Sequence, residues 1–171
     1  VQGKSNPYDD NGHGTSMAGI LVANGWINGV AKNVNLYVAK SLLENGSGYE
    51  EDVVSGIDWC VNQNVNIISL SLGGGQDLFP LLGSSSRTIE DSVNDAMARG
   101  IFVVAAAGND GGEEDDGDVA SPGSERRVIC VGGVTQSGSH WPKSSTGNNA
   151  VSFIPPKLPR GDPDKKPELV A

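Results

Sequence analysis

The sequence predicts an α/β fold with three layers, a mostly parallel sheet flanked by helices. Three observations carry that expectation. Short, continuous apolar runs rich in β-branched residues are bounded by glycine and asparagine, as buried parallel strands are. Segments with helical spacing alternate with them, which is the pattern of βαβ units. The chain has 171 residues, 37% of them hydrophobic, which suits one globular domain with a substantial core.

In chain order, a helix is expected from Gly14 to about Ala23, where Ala18 and Gly19 permit close packing and His13 stands at the start. Leu36–Lys40 reads as the first strand. Glu50 to Gln63 sets Val53, Val54, Ile57 and Val61 at helical spacing, and Val65–Leu70 follows as a strand. Ser86 to Arg99 repeats the helical pattern with Ile89, Val93, Ala96 and Met97, and Gly100 ends it. Ile101–Ala106 and Val128–Gly132 are the remaining strands. Gly111 to Gly117 is acidic and glycine-rich, and Ile154 to Pro167 is proline-rich and charged, so both read as surface loops.

Charge narrows the partners. Lys and Arg total 12 against 21 Asp and Glu, a formal charge of -9, which argues against nucleic acid. No run approaches the roughly 18 apolar residues of a membrane span, and the amino terminus lacks the apolar core of a signal peptide. Cys60 and Cys130 sit in apolar stretches without metal-type spacing and read as buried free thiols, with a disulfide left open.

Three segments could carry chemistry. In Asp10-Asn-Gly-His-Gly-Thr-Ser-Met-Ala-Gly19, glycine on both sides of His13 exposes an imidazole at a helix start, where it can act as a general base; a hydrogen-bonded structural histidine is the alternative. In Val103-Val-Ala-Ala-Ala-Gly-Asn-Asp110, a strand runs out into Asn109, presenting a carboxamide donor at the carboxyl edge of the sheet; Asn-Asp-Gly-Gly is equally turn chemistry. In Ser69-Leu-Ser-Leu-Gly-Gly-Gly75, polyglycine after a strand leaves backbone open to an extended peptide. A nucleotide-binding α/β module is a distant alternative, because neither a P-loop ending nor a dinucleotide fingerprint is present.

Taken in order, these segments resemble the subtilisin-like serine peptidases, or subtilases. The likeness runs through His13-Gly-Thr-Ser-Met-Ala-Gly19, Gly29-Val-Ala31, Ser71-Leu-Gly-Gly74 and Ala105-Ala-Ala-Gly-Asn109. It continues through Ser121-Pro-Gly123, Val131-Gly-Gly-Val134, Ser144-Ser145 and Lys166-Pro-Glu-Leu-Val-Ala171. By that resemblance the chain is the central part, residues 1–171, of a single catalytic domain, with an incomplete subtilisin-like fold. The implied function is serine-type endopeptidase by way of an acyl-enzyme, with a polypeptide as substrate. His13 is implied as the general base and Asn109 as the side-chain oxyanion donor, a role whose loss costs about 10² to 10³ in subtilisin itself. Ser71, Leu72 and Gly73 are implied as the edge that pairs with substrate. Ala106, Ala107 and Gly108 are implied as a wall of the S1 pocket, with room for a sizeable P1 side chain.

The same resemblance sets further expectations. The family's aspartate lies well upstream of the histidine, so Asp9 and Asp10 are expected to shape the loop instead. Ser16 matches the histidine motif rather than the nucleophile motif. The serine motif is expected after Ala171, so the chain alone is expected to be inactive; an inactive binding scaffold or domain fragment is the competing reading. Glu113, Glu114, Asp115, Asp116 and Asp118 have carboxylates enough for calcium, against the plainer reading of a solvated acidic loop, and the Ala23–Gly29 link is shorter than the segment that often wraps a tight calcium site. A secreted or cell-surface location and a complementary chain or propeptide as partner complete the expectations.

Overall fold

A computed structural model describes residues 8–74, 87–112, 117–147, 161 and 165–171. The chain divides into two compact units, Val1–Val65 and Asn66–Ala171.

In the first unit, α1 spans His13–Val22. Gly12 precedes it at φ 91°, a left-handed conformation that glycine adopts without a Cβ penalty. After α1 the chain folds back on the helix end: Gly29 N donates to Ala23 O at 2.7 Å, Val30 N to Ile20 O at 2.9 Å and Ala31 N to Leu21 O at 2.7 Å. The second helix, α2, spans Glu50–Asn62 and buries Val53, Val54 and Ile57 of the stripe its spacing predicts, together with Gly56, while Val61 is only half-buried. Glu50, Glu51 and Asp52 in its first turn complement the positive end of the helix.

Leu36–Lys40 corrects the expectation of a strand: it enters no β-ladder among the described residues. Apolar, β-branched composition favours an extended backbone, but a strand also needs a partner for its amides and carbonyls. Leu36, Tyr37 and Val38 are exposed. The segment instead lies along α2, with Gly56 against Ser41 and Ala39. The Tyr37 ring meets Trp59 edge-on at 6.3 Å.

The second unit holds a four-stranded parallel sheet in the order β1-β2-β3-β4. Its strands are β1 Ile67–Leu70, β2 Phe102–Ala106, β3 Ile129–Gly132 and β4 Leu169–Val170. Register pairs Leu70 with Ala105 and Ala105 with Cys130, a row that is buried across three strands. The third helix, α3, spans Ile89–Ala98, connects β1 to β2 and packs on β2. It begins at Ile89 rather than Ser86 because Thr88 and Asp91 form a reciprocal capping box, each side chain accepting from the other's backbone amide. Val93 and Ala96 are wholly buried. The α/β class with a parallel sheet and helices is as the sequence predicts.

Strand β4 was not expected, since Ile154 to Pro167 reads as loop right up to it. A buried lysine holds it: Lys166 Nζ donates to Val128 O at 2.6 Å and to Glu168 Oε1 at 2.5 Å. Glu168 Oε2 in turn accepts from Cys130 N at 2.8 Å, so one ion pair ties β4 to β3.

Candidate active site

Around His13 the loop is ordered by one carboxylate. Asp9 Oδ1 accepts from Gly12 N at 2.9 Å and Asn11 N at 3.1 Å, and its Oδ2 accepts from Thr15 N and Thr15 Oγ1, both at 2.7 Å. Gly12 has no side chain to cap α1, so Asp9 supplies the acceptor from three residues before it. These bonds, that from the Thr15 hydroxyl foremost, hold the Asp9 carboxyl well below the usual carboxylate range. Asn11 continues the brace, its Nδ2 donating to Glu44 O at 2.7 Å and its Oδ1 accepting from His13 N at 3.3 Å. Asp10 pairs with Lys40 at 2.8 Å and raises the affinity of that ammonium for its proton. His13 itself is exposed at the first position of α1. Ser16 donates its hydroxyl to Gly12 O at 3.0 Å, within the first turn.

The second unit brings the other candidates together at the carboxyl ends of β1 and β2. Ser71–Gly74 runs on from β1, and Ala106 ends β2, followed by Ala107, Gly108 and Asn109. A Cβ at Gly73 would lie 3.0 Å from the Ala120 methyl, and one at Gly108 would lie 3.1 Å from the same methyl. Ala120 thus faces both rims, and its amide donates to Ala107 O at 2.7 Å. Gly74 N donates to Ser121 O at 3.3 Å in an antiparallel bridge, which pins the end of the edge. Ser71 and Gly73 are exposed and Leu72 is half-buried. Ala107 is buried with Val119 and Cys130, whereas Asn109 is exposed.

Ala120 was missed by reasoning from sequence, although Ser121-Pro-Gly123 beside it was the available signal. Glu90 on α3 accepts from the Ser121 hydroxyl and anchors that turn from behind. Cys60 is half-buried, burial pushing its thiol up, and Cys130 is buried; the two are not joined in a disulfide. Residues 113–116 lie outside the described residues, and the buried Asp118 accepts from the Val119 amide at 2.9 Å. Among the described residues no cluster of three or more His, Cys, Asp or Glu is placed to hold a metal, and no helix is long and apolar enough to cross a membrane.

A parallel sheet with small-residue turns at its strand ends is the layout in which α/β enzymes place their sites. The model of the subtilase family matches residues 1–171, and the chain belongs to that family. It is 39% identical over 158 residues to subtilisin DY of Bacillus licheniformis, covering 91% of this chain and 55% of that protein. It is 38% identical over 160 residues to the major intracellular serine protease of Bacillus subtilis strain 168, covering 90% of this chain and 47% of that protein. A solved cold-adapted subtilisin-like serine proteinase superposes with a TM-score of 0.69 at 29% identity, over 98% of this chain and 51% of the other. The chain therefore spans about half the length of such relatives. One of them is named an intracellular protease, so membership of the family does not carry the secreted location expected from the resemblance.

Proposed function

We propose that the chain is the central part of one subtilase catalytic domain and that the protein containing it is a serine-type endopeptidase, with His13 as general base and Asn109 as oxyanion donor. The observation that supports this best is that the turns following β1 and β2, at Gly73 and Gly108, both lie against Ala120 at the carboxyl ends of those strands in a chain of the subtilase family. Exposed Ser71 and Gly73 continue β1 as a backbone edge, which suits a polypeptide bound as an added strand. Asn109 follows directly on one rim, where its carboxamide can meet the oxygen of a carbonyl held there. In this reading Asp9 is the brace of the His13 loop and not its catalytic partner, because its acceptor sites are already taken by Asn11, Gly12 and Thr15.

The 171 residues alone supply a base and an oxyanion donor but no serine in the nucleophile motif, so they hydrolyse peptides negligibly. The test compares the full-length protein with this piece. Full-length protein is expected to react with a fluorophosphonate and to lose labelling and peptide hydrolysis on His13→Ala, while the piece stays unlabelled. A full-length protein that folds, yet neither labels nor hydrolyses, would instead be a binding scaffold.

A further inference from the structure

We propose that Ser145 is a positioning residue for Asn109, a role that rests on the reading of Asn109 as oxyanion donor. Ser145 is 1% exposed, and its two polar groups bracket that asparagine. Its backbone N–H donates to Gly108 O at 3.1 Å, on the residue before Asn109. Its hydroxyl Oγ accepts from Asp110 N at 3.0 Å, on the residue after. Gly111 N then donates to Lys143 O at 3.1 Å, so the chain on both sides of Asn109 is pinned to 143–145. Gly108 completes the bracket: at φ 105° it is in the left-handed region, and a Cβ there would lie 2.8 Å from Ser145 Oγ.

The chemistry explains why such a bracket matters. Asn109 is exposed and follows the end of a strand, so nothing in β2 itself fixes the direction of its carboxamide. An oxyanion donor has to lie about 2.7–3.1 Å from an oxygen that exists only in the transition state. Its backbone must therefore be held to about 0.5 Å before substrate arrives. Ser145 holds the amide planes on both sides of Asn109 from a site that touches no reacting atom. Neighbouring Ser144 is as buried, at 2%, but its hydroxyl accepts from Gly133 N at 2.9 Å, away from Asn109.

A double-mutant cycle on the full-length protein tests this, with kcat and KM measured on a peptide anilide and stability measured by urea for every variant. Ser145→Ala is expected to lower kcat about tenfold, the rate equivalent of one hydrogen bond, with KM nearly unchanged because the donor acts in the transition state. Affinity for a peptide aldehyde, whose adduct places an oxyanion in the same position, should fall with kcat. In the Asn109→Ala background, the same Ser145→Ala change is expected to have no further effect on kcat, although its effect on stability persists. Ser144→Ala should lose stability and keep kcat. If Ser145→Ala does not fold, Ser145→Cys, which keeps volume and a weak acceptor, takes its place. Equal kcat losses in both backgrounds, or a loss confined to KM, would overturn the positioning role alone. An Asn109→Ala variant with undiminished kcat would instead overturn the oxyanion assignment, and this inference with it.

Discussion

An ionised carboxylate offers about four lone-pair sites, and Asp9 fills its two oxygens with four donors from Asn11, Gly12 and Thr15. All four favour the charged form, so protonation of Asp9 breaks the loop that leads into His13. The folded state holds this group lower than the unfolded chain does. Its contribution is therefore fully present above the ordinary carboxylate value of about 4 and is lost as pH falls from there toward the lowered folded value. Asp9→Asn should accordingly melt earlier than the parent near neutral pH, with the two melting curves converging as the pH is brought below about 4. A constant gap at all pH values would show that the charge is not what stabilises the loop. From sequence, Asp9 was readable only as a loop residue; the donors it gathers depend on a left-handed Gly12, which no spacing rule reveals. Asn109 was readable as a candidate, but its bracket by Ser145 spans 36 residues of sequence and leaves no periodic trace.

Elements were legible where their own side chains decide them. The stripes of α2 and α3 bury most of the residues that set their period, Val53, Val54 and Ile57 in one and Val93, Ala96 and Met97 in the other, while Val61 and Ile89 towards the helix ends are half-buried. Three of four apolar runs became strands β1, β2 and β3. Leu36–Lys40 failed and Leu169–Val170 was missed for one reason: pairing is a property of two segments, and the sequence of one cannot supply the other. Two-residue β4 exists because a buried Lys166 bonds Val128 O and Glu168. The start of α3 shifted to its capping box, and that box gives a prediction at this scale. Thr88→Ala removes the acceptor for Asp91 N and should cost about 1 kcal/mol. In a protein of this length that is about 2–4 °C in melting temperature, with the urea slope unchanged. A loss below about 0.3 kcal/mol would mean that Asp91 N finds water or another acceptor at no cost.

At the scale of the whole molecule, apolar surface is distributed unlike that of a finished α/β domain. Parallel sheets are normally covered on both faces, yet the register partners Ile67 and Phe102 are 61% and 64% exposed. In the other unit, Trp26, Ile27 and Val30 are 106%, 78% and 89% exposed in the turn that follows α1. Single exposed apolar residues are ordinary, but this many together form surface that, under the proposal that the chain is the central part of one catalytic domain, the rest of that domain is expected to cover. The 171-residue piece is therefore expected to bind the dye ANS and to let acrylamide quench most of the Trp26 emission, assigned by difference against Trp26→Phe. The full-length protein should bind far less dye and shield Trp26. Equal dye binding and equal quenching in the two would mean that nothing else in the full-length protein packs here, and that this surface meets some other partner or water.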